Sequence, residues 1–98
     1  MTIEKTVTEN ALDLKISGRL DTTTAPQLEA ELKQIVGEIT ELTLDFSELE
    51  YMSSAGLRVL LAAQKVMNNQ GRMVVKNVND AIMEVFEMTG FADILTIE

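Results

Sequence analysis

Two adjacent hydroxyl groups are the side chains of this sequence best placed for chemistry. Ser53 and Ser54 lie between an alternating segment that ends near Met52 and a nearly all-apolar segment that begins at Leu57. This order predicts a helix start, where free N–H groups and the helix dipole favour negative charge, so a phosphate on either hydroxyl is compatible with the fold. The structural alternative is that a serine serves only as the N-cap.

Two carboxylates are the groups that a catalytic hypothesis would use. Asp21 follows a predicted strand and is expected at the same end of the sheet as the serines; the alternative to a functional role is a solvated turn in which it assists the helix start. Asp45 ends another predicted strand and is expected to accept local hydrogen bonds. An enzyme would need both carboxylates in one pocket. Nothing in the sequence indicates such convergence, and we expect no enzymatic activity.

The composition excludes several kinds of site. The chain has neither cysteine nor histidine, so disulfides, thiol nucleophiles and imidazole chemistry are impossible, and we expect no metal and no cofactor. A net charge of -8 opposes binding to nucleic acid or to anionic lipid. The first residues lack the basic and apolar order of a secretion signal, and the longest apolar run, residues 59–63, is too short to span a bilayer. We therefore expect a cytoplasmic protein without membrane insertion.

The first half of the chain predicts a hairpin followed by a helix. Residues 3–7 and 12–16 alternate in polarity around the turn-prone pair Glu9-Asn10. Residues 24–27, Thr-Ala-Pro-Gln, have the form of a capping box in which the Thr24 hydroxyl accepts a first-turn N–H. The helix that follows is predicted to end near Gly37, and its apolar face is predicted to comprise Leu28, Leu32, Ile35, Val36 and Ile39.

The second half alternates strands with helices. We predict a strand over residues 42–46 that ends in a turn at residues 45–48, a helix over 57–70 stopped by Gly71, and a strand over 73–76. Asn79 or Asp80 should cap a third helix that ends at Gly90, and residues 94–97 are a candidate last strand. The fold class is α/β: one domain over residues 1–98 with a mixed, mostly parallel β-sheet of four to five strands and three to four α-helices on one or both faces.

Several segments occur in the order and spacing of one known family. They are Gly18-Arg19-Leu20-Asp21, Leu44-Asp45-Phe46-Ser47, Tyr51-Met52-Ser53-Ser54-Ala55-Gly56-Leu57 and Phe86-Glu87-Met88-Thr89-Gly90-Phe91. From about Val7 to its end the chain resembles STAS-domain anti-sigma factor antagonists. The resemblance implies a bacterial partner-switching protein. Unphosphorylated, it would bind an anti-sigma factor with serine kinase activity and free a sigma factor; phosphorylated, it would let go, and a phosphatase would reactivate it.

The resemblance also implies which residues act. The phosphorylated serine of the family lies two positions before the glycine of this segment, which corresponds to Ser54, with Ser53 as the second choice. Apart from the resemblance, helical spacing places Arg58, Lys65 and Asn69 on one stripe with Ala62, which is predicted to be either plain exposed surface or a docking surface. The free protein is expected to be a monomer. The expected partner contacts are Asp21, Thr22, Thr23, Met52, Ser53, Ser54, Ala55, Gly56, Arg58 and Ala62.

One position departs from the family pattern. Members commonly carry an aspartate directly before the phosphorylated serine, whereas this chain has Ser53 there. The change could weaken kinase recognition, move modification to Ser53, or mark a member that binds without being phosphorylated. The last reading favours an alternative function, a non-catalytic STAS accessory subunit that docks on the ATPase of a membrane lipid transporter.

Overall fold

A mixed four-stranded sheet organises the fold. The computed structural model describes residues 1–34 and 38–98, so Ile35, Val36 and Gly37 of the predicted first helix lie outside the described residues. The strands, in sheet order, are β1 (Thr2–Thr8), β2 (Ala11–Leu20), β3 (Glu41–Met52) and β4 (Arg72–Lys76), with β1 antiparallel to β2 and the other pairs parallel. The helices are α1 (Ala25–Lys33), α2 (Ser54–Gln70) and α3 (Asp80–Thr89), followed by a 3-10 turn at Phe91–Asp93. The predicted α/β class is confirmed.

The hairpin, the end of α2 and both ends of α3 follow the predicted signals. Thr8 pairs with Ala11, so Glu9 and Asn10 form the two-residue turn, and Glu9 takes a φ of 55°. Asn79 caps α3 by accepting the Ile82 N–H, and α2 ends at Gly71. Gly90 ends α3 in the left-handed region with a φ of 83°, which glycine adopts without steric cost.

The core lies on one face of the sheet. Leu14 and Ile16 of β2 and Leu44 and Phe46 of β3 are fully buried on that face, against the apolar sides of α1 and α2. The alternate residues of the same strands, such as Asp13, Lys15, Thr43 and Asp45, are half-buried or exposed. β2 and β3 therefore each have one buried face and one solvent-accessible face, as their alternation predicts. Leu61 of α2 is only half-buried, although it is apolar.

The third strand is longer than its sequence suggests. We predicted a turn at residues 45–48, but β3 continues to Met52. The Asp45 carboxylate accepts the Ser47 N–H at 2.9 Å and the Asn77 amide at 3.0 Å, so the local turn chemistry is satisfied inside the strand. The pairing shifts from Lys15 with Asp45 to Ser17 with Glu48, which places one extra residue on β3 as a bulge.

The capping box at the start of α1 is not formed. Thr24 is the N-cap, yet its hydroxyl makes no capping hydrogen bond. The hydroxyl instead donates to the Arg19 carbonyl at 2.8 Å and accepts the Asp21 N–H at 2.9 Å. Thr24 therefore ties the helix back to the end of β2, a use of the hydroxyl that the four-residue pattern does not reveal.

The last predicted strand is reduced to a single bridge. Ile97 pairs in parallel with Val75, and the Val75 N–H donates to the Thr96 carbonyl at 2.9 Å. The Glu98 N–H returns a hydrogen bond of 2.9 Å to the Val75 carbonyl. The end of the chain thus covers part of the outer edge of β4, which limits the exposure of unpaired backbone groups there.

Candidate functional site

The carboxyl ends of β2 and β3 bring the candidate residues together. Leu20 pairs with Met52 at the end of the parallel ladder, and the Ser53 N–H donates to the Leu20 carbonyl at 2.9 Å. This hydrogen bond fixes the start of α2 beside the chain that leads into Asp21. The expectation that Asp21 and the serines share one end of the sheet is confirmed.

The two serines lie in different environments. Ser53 is the N-cap of α2, with φ −100° and ψ 176°, but its hydroxyl caps no N–H. The Ser53 Oγ atom is buried and has no hydrogen-bond partner within the described part of the chain. Ser54 is the first residue of α2, and its side chain is exposed. The structural alternative, in which one hydroxyl serves as the cap, is not what the structure shows.

The surroundings of Ser54 suit an anion. The first turn of α2 contains no acidic residue, and its N–H groups are those that a helix leaves without intrahelical partners. The dipole adds partial positive charge at the same end. A negatively charged group on the Ser54 oxygen is therefore compatible with this helix.

A glycine allows α2 to approach the strands closely. A Cβ atom on Gly56 would lie 2.8 Å from Leu20 Cγ and 3.0 Å from Met52 Cγ, closer than side chains tolerate. Met52 is only 4% exposed and belongs to the core. We expected Met52 and Gly56 among the partner contacts. Both residues are buried, so Met52 does not present its side chain to solvent and Gly56 contributes only the close approach of α2 to the strands.

Asp21 organises the loop between β2 and α1. Its Oδ1 atom accepts the Thr23 N–H at 3.0 Å and the Thr24 N–H at 3.2 Å, and its Oδ2 atom lies 3.7 Å from Arg19 Nε. The pKa of Asp21 is lowered from its ordinary value of 3.8. The hydrogen bond from the Thr24 backbone is the largest cause, the Thr23 backbone and Arg19 lower the pKa further, and desolvation partly opposes them. The side chains of Thr22 and Thr23 remain exposed.

An arginine stacked on a tyrosine borders the same site. The guanidinium carbon of Arg19 lies 4.1 Å from the centroid of the Tyr51 ring, and the two residues are paired between β2 and β3. Tyr51 is 42% exposed. Sequence reasoning missed this pair, because the two bulges between Lys15 and Arg19 set its register and neither bulge is readable from the alternation of residues.

The outer face of α2 is cationic. Arg58, Ala62, Lys65 and Asn69 are all exposed, as predicted, and Ala55 beside them is half-buried. The helix carries no aspartate or glutamate in its 17 residues, although the whole chain has a net charge of -8. This helix face therefore differs in sign from most of the molecular surface.

The catalytic hypothesis finds no support in the geometry. Asp45 pairs with Lys15, five residues before the end of β2 at Leu20, whereas Asp21 lies beyond that end, so roughly 16 Å of strand separates the two positions. Asp45 is held by Asn77 and Ser47, which lower its pKa. Residues 1–34 and 38–98 contain no cluster of three acidic side chains arranged to hold a metal ion. No helix in these ranges is long and apolar enough to cross a membrane.

Comparison with known proteins identifies the family. The STAS domain family model matches residues 2–98. The chain is 41% identical over 85 residues to BtrV of Bordetella bronchiseptica, named as a candidate anti-sigma factor antagonist, covering 84% of this chain and 72% of that protein. It is 34% identical over 89 residues to the anti-sigma-B factor antagonist of Listeria monocytogenes, covering 89% and 78%.

A solved structure shows the same fold. The cell fate determinant SpoIIAA of Bacillus in its phosphorylated form aligns with a TM-score of 0.78 at 21% identity, covering 99% of this chain and 91% of that one. The fold and the matched sequence agree with one another. The chain belongs to the STAS domain family of anti-sigma factor antagonists.

Proposed function

We propose that this chain is an anti-sigma factor antagonist that is switched off by phosphorylation of Ser54. The relatives named above supply the class of partner, an anti-sigma factor. One observation supports the choice of serine: the Ser54 side chain is exposed at the first position of α2, whereas the Ser53 hydroxyl is buried. A kinase can reach the Ser54 hydroxyl without disturbing the fold and cannot reach the Ser53 hydroxyl.

The unphosphorylated protein binds through the surface around the start of α2. Ser54, Ala55, Arg58 and Ala62 supply the helix side of this surface, and the loop from Asp21 to Thr23 supplies the other side. The small side chains of Ala55 and Ala62 allow another protein to approach the helix closely. The partner is an anti-sigma factor that has serine kinase activity, so the enzyme that modifies Ser54 is also the protein that Ser54 contacts. The switch operates in the cytoplasm, and the free antagonist is a monomer.

Phosphorylation weakens binding by a local electrostatic effect. A phosphoserine adds roughly −1.5 to −2 charges at neutral pH. The start of α2 stabilises this charge in the free protein, but burying it against a partner without matching cations costs free energy. The modified protein therefore stays folded and dissociates, and a phosphatase restores binding.

Variants at the two serines test this proposal. Binding to the anti-sigma factor of the source organism is measured by calorimetry for the wild type, Ser54→Ala, Ser54→Asp and the control Ser53→Ala. We expect Ser54→Asp to weaken binding at least about tenfold, equal to about 1.4 kcal/mol, while both alanine variants bind within a few-fold of the wild type. Tandem mass spectrometry of the protein from its own cells should place phosphate on Ser54. Equal affinities of Ser54→Ala and Ser54→Asp would contradict the switch.

The presence of Ser53 where family members commonly have an aspartate favours a second candidate function. A protein that docks permanently on the ATPase of a membrane lipid transporter needs no acidic residue beside the serine for a kinase to recognise. Affinity purification from the source cells separates the two functions, because it recovers either an anti-sigma factor or a transporter ATPase. Absence of phosphate on Ser54 during growth and stress, together with recovery of the ATPase, would favour this second function.

A further inference from the structure

The two cations of α2, Arg58 and Lys65, lack the ion pairs that most other cations of the described residues form. Among the described residues, five of the eight lysine and arginine side chains form ion pairs, namely Lys5, Lys15, Arg19, Lys33 and Arg72. Arg58 and Lys65 form none with any residue of the described ranges, and their helix has no acidic residue that could pair with them. Both are exposed. A protein of net charge -8 thus keeps two unpaired cations on one helix face.

Arg58 stands where a phosphate on Ser54 would meet it. The two residues are four apart in α2, and side chains at this spacing are neighbours on a helix surface. The acidic member would precede the basic one, which is the more favourable order for such a pair. An arginine also offers several N–H donors in a planar fork that fits phosphate oxygens.

The other arginine at this end of the sheet is already engaged. Arg19 stacks on Tyr51 at 4.1 Å and lies 3.7 Å from the Asp21 carboxylate. Moving it to a phosphate would break both contacts. Lys65 is eleven residues beyond Ser54, about 16 Å along the helix axis, and is out of reach.

We propose that Arg58 captures the phosphate on Ser54 within the same helix. Phosphorylation then changes the docking surface twice, since it adds negative charge and withdraws the guanidinium that the unphosphorylated protein offers to an acidic group of its partner. This inference rests on the proposed function, because it takes Ser54 as the modified residue. It adds a residue that senses the modification and a partner chemistry, an acidic surface facing the start of α2.

The titration of the phosphate tests the capture without a kinase or a partner. Full-length protein carrying phosphoserine at position 54, installed during synthesis, is titrated by phosphorus-31 NMR in the wild-type, Arg58→Ala and Lys65→Ala backgrounds. A neighbouring cation favours the dianion, so Arg58→Ala should raise the second pKa of the phosphate by about 0.3 unit or more. Lys65→Ala, which removes the same charge farther along the same stripe, should leave it unchanged.

The outcomes separate this inference from the proposed function. Equal titration of the wild-type and Arg58→Ala phosphoproteins overturns the capture, as does an equal shift in Lys65→Ala, which would indicate only the general field of the helix. Circular dichroism checks that each variant is folded, and Arg58→Lys, which retains the charge without the fork, should give an intermediate shift. If cells never modify Ser54, the proposed function fails while this titration still decides what Arg58 does.

Discussion

The carboxylate of Asp21 links the end of β2 to the start of α1, and its protonation should weaken that link. Hydrogen bonds from the Thr24 and Thr23 backbones and the nearby Arg19 lower its pKa below 3.8 in the folded protein. A group with a lowered folded-state pKa contributes stability above its unfolded pKa and loses it as the pH falls through the folded value. We expect Asp21→Asn to be less stable than the wild type at pH 7, with the gap closing below about pH 4.

Urea unfolding at a series of pH values between 7 and 2 measures this gap. Asp13→Asn provides the control, because Asp13 is an exposed residue of β2 whose carboxylate makes no hydrogen bond or ion pair within residues 1–34 and 38–98. Its difference from the wild type should vary less with pH than that of Asp21→Asn. A gap for Asp21→Asn that stays constant down to pH 2 would show that the charge of Asp21 contributes nothing to stability.

Loss of the N-cap side chain should destabilise the protein at α3 but hardly at α2. Asn79 accepts the Ile82 N–H at 2.8 Å and donates to the Leu49 carbonyl at 2.9 Å, so it caps α3 and ties it to β3. We expect Asn79→Ala to lower the free energy of unfolding by about 1 to 2 kcal/mol. Ser53→Ala should change it by less than about 0.5 kcal/mol, because the Ser53 hydroxyl caps nothing and is buried without a partner.

Chemical denaturation of both variants beside the wild type decides this comparison. A loss of more than 1 kcal/mol in Ser53→Ala would mean that the hydroxyl caps α2 in solution. The result also bears on the switch, since a Ser53 variant that folds normally is the control on which the binding experiment at Ser54 depends.

The helices and strands could largely be predicted from the sequence, but the contacts that their side chains make with other elements could not. Period-two alternation and the Glu9-Asn10 pair predicted the hairpin, and Asn79 and Gly90 marked the ends of α3, because these signals act within a few neighbouring residues. The extension of β3 was missed, since the Asp45 carboxylate beside its bulge accepts a hydrogen bond from Asn77, which is 32 residues away in the chain. Thr24 was misassigned for a different reason, because its hydroxyl donates to the carbonyl of Arg19, only five residues earlier at the end of β2, and does not cap its own helix.

The candidate site was likewise predictable only in part. The position of both serines at the start of α2 followed from the change between an alternating and a helical pattern. Their difference in exposure did not, because it depends on how α2 meets the end of β2 through the Ser53 to Leu20 hydrogen bond and the contact of Gly56 with Leu20. Packing between distant segments therefore decides which serine is accessible.

Charge over the whole molecule is uneven as well as excessive. The chain has a net charge of -8, and the five ion pairs found in the described part of it are all at least partly exposed. Exposed ion pairs contribute little, typically below about 1 kcal/mol each, and salt weakens them. Repulsion among the excess carboxylates opposes the compact state, and salt weakens that too. The response of stability to salt therefore reports which of the two effects is larger.

We expect added salt to stabilise this protein. Self-repulsion acts between all the excess charges, whereas the ion pairs here are single, exposed contacts of 3.4 to 3.9 Å. Raising sodium chloride from 0.02 to 0.5 M shortens the screening length from about 20 Å to about 4 Å, which removes most of the long-range repulsion. The urea midpoint should rise, and it should rise further for the protein phosphorylated at Ser54, which carries more negative charge. A midpoint that falls with salt would show that the ion pairs outweigh the repulsion.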